Sequence, residues 1–176
     1  MANREALREL QTRLASRLQA ARSGPIAPAW LAVRIVEANY LFALAQSGEI
    51  FSLVNVQHVP YCQPWFIGVT NLRGGLFGVV DLAGFMATPA PPGRTSRSLA
   101  QSSVLTFNAA LDLNCAVLLD SLVGLRKREA FAQEVAPAHG CPSYFGNLFT
   151  DSAGVQWQEI NLQSLSQLPE FLGISA

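Results

Sequence analysis

Histidine, cysteine and charge are scarce in this chain, whose 176 residues include two histidines and three cysteines, with 14% charged residues and a net charge of zero. Cys62, Cys115 and Cys141 are an odd number without short paired spacing, which argues against a disulfide framework and fits a reducing compartment. A balanced charge provides no basic field for nucleic acid. The sequence therefore predicts no nucleic-acid partner.

Long apolar runs are missing as well. No stretch approaches the roughly 18 residues that a membrane-spanning helix requires, and the N-terminus lacks the apolar core of a signal peptide. We therefore expect a cytoplasmic protein that does not insert directly into a membrane.

The patterns of common catalytic sites are also absent. The glycines at 74, 75 and 78 are not accompanied by the lysine of a phosphate-binding loop, no G-x-S-x-G elbow occurs, and two histidines leave few candidates for a general base. The carboxylates are scattered singly, so no acidic pair indicates acid and base catalysis. We predict a binding protein with no enzymatic activity, no cofactor and no metal.

One alternative is a metal site formed by histidine and cysteine side chains. His58, Cys62, His139 and Cys141 form two local pairs of zinc-compatible side chains, although their spacing does not match the usual zinc motifs. On this interpretation the chain would be a small β-barrel that binds a metal or another small ligand.

The first 24 residues have helical periodicity. Leucines at positions 7, 10, 14 and 18 share one face, and Ser23-Gly24-Pro25 ends the pattern, which predicts an amphipathic helix over residues 1–24. Five arginines face two glutamates in this segment, so it is more basic than the rest of the chain. Its apolar face lacks Trp and Phe, which favours packing on a protein over membrane binding.

Short extended runs then predict a mainly β domain over residues 28–172. They lie at 30–36, 40–45, 50–54, in the two arms of 64–85, and at 103–107, 115–119, 122–126 and 155–160. The run at 30–36 alternates, which predicts a half-buried strand with Arg34 on its wetter face. A loop rich in Pro and Ser at about 87–102 divides them into two halves, and the stretch through Pro137 and Pro142 is irregular. Leucines after Asn161 predict a short closing helix that is broken near Pro169.

The run from Pro64 to Phe85 places a polar quartet, Asn71-Leu72-Arg73-Gly74, between two apolar strands. Gly74 and Gly75 permit the positive backbone angles of a tight reversal, so the run predicts a hairpin whose turn carries a guanidinium. On spacing alone, Arg73 is either solvated or engaged in a contact.

This run, GVTNLRG followed by a strand that ends in VVDL, resembles the CheW family of chemotaxis coupling proteins. The similarity extends upstream through WLAVRIVEANYLFALAQSGEI and downstream through SVLTFNAALDLNCAVLLDSLVGL and VQWQEINLQSL, and so covers most of the chain. The N-terminal helix, the long loop and VVDLAGFM are most similar to the PilI branch, which serves type IV pilus signalling and twitching motility.

The resemblance implies two small SH3-like five-stranded β-barrels around a shared hydrophobic core. It also implies a scaffold that joins the cytoplasmic tip of a methyl-accepting chemoreceptor to the regulatory domain of a CheA-like histidine kinase. Such a protein would be recruited to membrane receptor arrays, including arrays at a cell pole. A structural pilus-assembly factor without a kinase partner is the other alternative.

The family motifs also identify candidate protein-binding residues. Arg73 and Glu49 match positions associated with receptor coupling, while the glycines and the asparagine of the motif shape the backbone around them. Arg73 either contacts a partner or pairs internally with Glu49 or Asp81. The full predicted set is Ser47, Glu49, Ile50, Gly68, Asn71, Arg73 and Gly74. The resemblance implies that a groove between the two barrels holds the receptor tip. Ser47 replaces a valine-like residue of the family, so this groove is expected to differ there.

Overall fold

The computed structural model describes residues 29–87 and 102–176. The predicted helix over residues 1–24 and residues 88–101 of the predicted loop lie outside this part of the chain. The strands are β1 (Ala29–Ile35), β2 (Ala38–Ala43), β3 (Ser47–Ser52), β4 (Phe66–Leu72), β5 (Gly75–Val80), β6 (Ser103–Phe107), β7 (Cys115–Leu119), β8 (Ser121–Lys127), β9 (Phe131–Val135), β10 (Phe145–Asp151) and β11 (Gln156–Ile160). The α-helices are α1 (Leu82–Met86), α2 (Leu162–Ser166) and α3 (Pro169–Leu172).

Within these residues the strands form two mixed sheets. One has six strands in the order β8-β1-β2-β11-β10-β9, and the other has five in the order β3-β6-β7-β5-β4. Neighbouring strands are antiparallel except in the pairs β2 with β11 and β5 with β7, which are parallel. The prediction of a mainly β fold is confirmed.

The strand β1 is buried on both faces, whereas its alternating pattern predicted a half-buried strand. Leu31 and Val33 pack in the main core, while Trp30 and Ala32 point to a second cluster on the opposite face. Arg34 is exposed, as the pattern predicted. Period two assigns residues to two faces but does not reveal that both faces are covered.

The five-stranded sheet curls until its two outer strands, β3 and β4, approach each other. Gln57, just beyond β3, forms a bridge with Val69 of β4 through backbone hydrogen bonds of 2.8 and 2.9 Å. Thr70 adds a hydrogen bond of 2.8 Å from its hydroxyl to the carbonyl of Val54. The expected SH3-like architecture is confirmed, with two differences in detail: one sheet has six strands, and the sheets are not fully closed barrels.

The two sheets do not correspond to the two halves of the chain on either side of the predicted loop at 87–102. The strands β6 and β7 follow that loop, yet they pair with β3 and β5, which precede it. Likewise, β1 and β2 pair with β8 and β11 from the other end of the chain. The two sheets are thus interleaved along the sequence.

Both sheets contribute to one main core. Leu31, Phe42 and Ile160 of the six-stranded sheet belong to the same buried cluster as Val80 and Leu105 of the five-stranded sheet. The shared core that the resemblance implied is therefore present between the two sheets.

Two strands were missed in the irregular stretch around Pro137 and Pro142. The first, β9, is an outer strand with four exposed residues, so it lacks a clear apolar alternation. The second, β10, contains Gly146 and Asn147, which are uncommon in strands. The closing helix is divided as predicted, with Pro169 at the first position of α3.

Candidate functional site

The site is built on the turn between β4 and β5. Leu72 pairs with Gly75, which leaves Arg73 and Gly74 as a two-residue loop with φ angles of 50° and 86°. Two successive positive φ angles are those of the type I′ turn that hairpins favour. The side chain of Asn71 accepts a hydrogen bond of 2.9 Å from the Gly74 amide. This turn fixes the position from which the Arg73 side chain extends.

The guanidinium of Arg73 is held by two side chains of β3. Its Nη1 lies 2.7 Å from Oε2 and 2.9 Å from Oε1 of Glu49. Its central carbon lies 5.4 Å from the ring centroid of Phe51, a distance compatible with a cation–π interaction. Of the two internal partners predicted for Arg73, the structure shows Glu49.

The ion pair remains accessible to solvent. The side chains of Arg73 and Glu49 are 72% and 57% exposed. A pair of this exposure contributes about 0–1 kcal/mol to stability, because water screens both charges. The contact therefore orients the arginine more than it stabilises the fold.

The backbone of Glu49 is anchored from the neighbouring strand β6. The Glu49 amide donates to the hydroxyl of Thr106 over 2.8 Å, and that hydroxyl lies 3.1 Å from the Glu49 carbonyl. The register of β3 against β6 shifts between Ser47 and Ile50, so Glu49 lies at an irregularity of the ladder. Thr106 is buried and fixes this irregular segment.

Ser47 and Gly68 lie inside the structure. Ser47 is 8% exposed, and its hydroxyl donates a hydrogen bond of 2.9 Å to the carbonyl of Ala43. Gly68 is buried with a φ angle of 146°, and a Cβ there would collide with the carbonyl oxygen of Gln57. These two residues shape the backbone around the site rather than present side chains on the surface.

Of the predicted set, the structure brings Arg73 and Glu49 into direct contact, with Asn71 and Gly74 forming the turn beside them. Ile50, which is 37% exposed, follows Glu49 on the same strand. Phe51 was missed, although its position two residues after Glu49 placed both side chains on one face of a strand. Leu76, directly opposite Asn71 and 62% exposed, was also missed.

An apolar pocket of about 280 Å³ opens beside the same hairpin. Leu76 of β5 forms part of its wall together with Val69 of β4 and residues that follow α2, including Phe171, Leu172 and Ile174. Such a lining suits apolar side chains of another protein. The hairpin therefore offers a charged group at its turn and an apolar surface along its arm.

The four zinc-compatible side chains of the alternative interpretation do not form a metal site in the described part of the chain. Within residues 29–87 and 102–176, no group of three or more His, Cys, Asp or Glu side chains could hold a metal ion. The alternative in which His58, Cys62, His139 and Cys141 bind zinc is therefore not supported by their positions.

In residues 29–87 and 102–176, no helix is long and apolar enough to cross a membrane.

Shifted pKa values occur away from the Arg73 turn. Burial raises the pKa of the Cys115 thiol to about 12. Burial also raises the pKa values of Tyr40 and Tyr144, and Tyr144 adds a smaller charge effect at Tyr40. Hydrogen bonds lower the pKa of Asp151; the largest contribution comes from the Val155 amide and the next from the indole of Trp157. Each shift favours the protonation state that the group already has at neutral pH.

Known proteins resemble this chain in sequence and in fold. A family model for the CheW-like domain matches residues 29–166. Protein PilI of Pseudomonas aeruginosa is 25% identical over 127 residues, which cover 71% of this chain and 68% of that protein. The crystal structure of the scaffolding protein TtCheW from Thermoanaerobacter tengcongensis superposes with a TM-score of 0.63 at 14% identity, covering 80% of this chain and 88% of that one. This last likeness concerns the fold, and it confirms the expected SH3-like arrangement.

Proposed function

The chain belongs to the family of CheW-like domains, and on that premise we propose that it couples a chemoreceptor of a type IV pilus signalling system to a CheA-type histidine kinase. Proteins of this family are non-enzymatic scaffolds. The assignment to twitching motility is supported by the likeness to PilI of Pseudomonas aeruginosa. In this role the protein would reside in the cytoplasm and be recruited to receptor arrays at the membrane, including arrays at a cell pole.

The observation that carries the proposal is that Arg73 is both oriented and accessible. Glu49 and Phe51 hold its guanidinium in one place, yet 72% of its side chain is exposed. The conformational freedom of the Arg73 guanidinium is therefore restricted before a partner binds, which lowers the entropic cost of binding. An arginine held in this way can bind a carboxylate or carbonyl group of a receptor tip in a fixed orientation.

Glu49 has a second role in this proposal. A carboxylate from the receptor would either replace Glu49 as the partner of Nη1 or bind the remaining N–H groups of the guanidinium while Glu49 stays in place. Because an exposed ion pair is worth only about 0–1 kcal/mol, this exchange costs little. The exposed Leu76 and the apolar pocket beside it would then supply apolar contact area.

The kinase regulatory domain would dock on another part of the same scaffold, at the ends of the two β units. One protein must hold both partners at once to couple them, so the two docking surfaces cannot coincide. The receptor surface would be formed by the predicted residues Glu49, Ile50 and Arg73, with Ser47, Gly68, Asn71 and Gly74 as its backbone support.

The proposal is tested with Arg73→Glu in the full chain. We expect an unchanged circular dichroism spectrum and a thermal midpoint that falls by no more than about 4 °C, because the lost ion pair contributes at most about 1 kcal/mol. Binding to the receptor cytoplasmic fragment should fall by at least tenfold, since the new glutamate repels the carboxylate that Arg73 would bind. Receptor-dependent control of kinase autophosphorylation should be lost, while binding to the isolated kinase regulatory domain persists.

Arg34→Glu is the matched control, because Arg34 is an exposed arginine on β1 of the other sheet. It should leave receptor binding unchanged. If Arg73→Glu and Arg34→Glu bound the receptor fragment equally well, Arg73 would not contact the receptor. If the unmodified chain failed to bind any CheA-type regulatory domain, the chain would act as a structural pilus factor instead.

A further inference from the structure

The outer strand of the six-stranded sheet carries exposed apolar side chains. Among the described residues, β8 pairs with β1 on one side and with no strand on the other. Leu122, Val123 and Leu125 are 51%, 41% and 64% exposed. Val123 lies at the irregularity between the pairs Ala32–Gly124 and Val33–Leu122. We refer to the side chains of Leu122 and Leu125 as the apolar ledge.

The apolar ledge continues the main core toward the open edge of the sheet. Leu125 lies opposite Leu31, and Leu122 lies opposite Val33. Side chains of directly opposed residues share a face, and both Leu31 and Val33 belong to the main core. An uncovered apolar outer strand promotes association with other chains, so proteins commonly cover such an edge.

The first described residue, Ala29, lies at this edge of the sheet. Ala29 pairs with Lys127, so the chain arrives at β1 beside the end of β8. The 28 residues before Ala29 include the leucines at positions 7, 10, 14 and 18. Residues 23–28 can extend by about 20 Å, and the seven residues of β8 extend over about 23 Å. The leucines are therefore within reach of the whole apolar ledge.

We propose that the leucine stripe of residues 4–22 covers the apolar ledge of β8. Because the segment is tethered beside the strand, its effective concentration there is in the millimolar range, which favours this contact over one with a separate molecule. The proposal concerns a contact within the chain and does not depend on the receptor and kinase partners.

A double-mutant cycle in the full chain tests the contact. Leu125→Ser alone and Leu10→Ser with Leu14→Ser should each raise the unfolding equilibrium constant by roughly tenfold, because each uncovers the same apolar area. Their combination should raise it by little more than either change alone, since the second change finds the contact already lost. The proposal is overturned if the two effects simply multiply. Leu76→Ser on β5 is the control, and its effect should multiply with that of the N-terminal changes.

Disulfide trapping provides a second measurement that does not rely on stability. A cysteine at position 125 is combined with one at 7, 10, 14 or 18 in the full chain carrying Cys62→Ser and Cys141→Ser. Under mild oxidation, at least one pair should form an intrachain disulfide that mass spectrometry detects. Formation of interchain disulfides alone would assign the ledge to a second copy, and no disulfide at any pair would also overturn the proposal.

Discussion

Gly68 and Gly74 both have positive φ angles, but their surroundings differ sharply. Apart from its two chain neighbours, no residue lies within 4 Å of the position of a Cβ on Gly74, whereas a Cβ on Gly68 would meet the backbone of Gln57. Gly74 thus serves only the turn, while Gly68 also permits the close approach of residue 57 to β4. The two glycines of one motif therefore have separate physical roles.

Replacing each glycine with alanine should separate these roles. Gly74→Ala should lower the free energy of unfolding by about 1 kcal/mol, the lower end of the cost of backbone strain. Gly68→Ala should lower it by about 3 kcal/mol or more, because a collision with backbone is added to the strain. Urea denaturation of both variants measures the difference. If both variants lost the same free energy of unfolding, residues 54–57 would move away from the new methyl group at little cost and would not constrain the sheet.

At the same scale, the sequence indicated much of the candidate site. The turn and its arginine follow from Asn71, Gly74 and the flanking apolar runs. The contact with Phe51 was missed: the strand pattern places Phe51 on the same face as Glu49, but it does not show that β3 and β4, the outer strands of a curled sheet, approach each other. The burial of Ser47 likewise depends on packing at the turn between β2 and β3.

At the scale of elements, the turn between β2 and β3 holds the start of α2. Gln46 accepts a hydrogen bond of 2.8 Å from the Leu162 amide, and its side-chain nitrogen lies 3.2 Å from Oδ1 of Asn161. Asn161 in turn accepts a hydrogen bond of 2.9 Å from the Ser164 amide. Two of the unpaired amides at the helix start are thus satisfied, one of them from a distant part of the chain.

Gln46→Ala should therefore cost about 1–2 kcal/mol of unfolding free energy, since the Leu162 amide loses its partner in a partly buried position. Gln163→Ala, an exposed position on α2 itself, should change stability by less than about 0.5 kcal/mol. Thermal unfolding followed by circular dichroism compares the two. A Gln46→Ala variant as stable as Gln163→Ala would mean that water replaces the lost acceptor at no cost.

The elements that could be predicted are those whose apolar residues face a core. The strands β1, β6 and β7 are mostly buried, so their apolar runs were evident from the sequence. The strands β9 and β10 were not evident, because their position in the sheet is set by pairing with each other and with β11. The interleaved order of strands could not be predicted either, because local pattern does not identify a distant partner.

At the scale of the whole molecule, the shared main core couples the two sheets. Residues of both sheets lie in one buried cluster, so neither sheet can open without exposing apolar side chains of the other. The main core therefore makes the two β units interdependent in stability.

Unfolding should accordingly be a single transition. Far-ultraviolet circular dichroism and the tryptophan fluorescence of a chain carrying Trp65→Phe, which then reports on the buried Trp30 and Trp157 of the six-stranded sheet, should give the same urea midpoint. Val80→Ala in the five-stranded sheet should lower both midpoints equally. Two separated midpoints, or a change in only one of them, would mean that the sheets unfold independently.

The interleaving of the sheets also has a consequence for synthesis on the ribosome. The strands β1 and β2 are the first of the described strands to leave the exit tunnel, but their outer neighbours β8 and β11 are made much later. Until then, the hairpin of β1 and β2 exposes both of its apolar faces. The six-stranded sheet is therefore completed only after β11 has left the ribosome, and until then the nascent chain exposes unpaired apolar strands of the kind that promote aggregation.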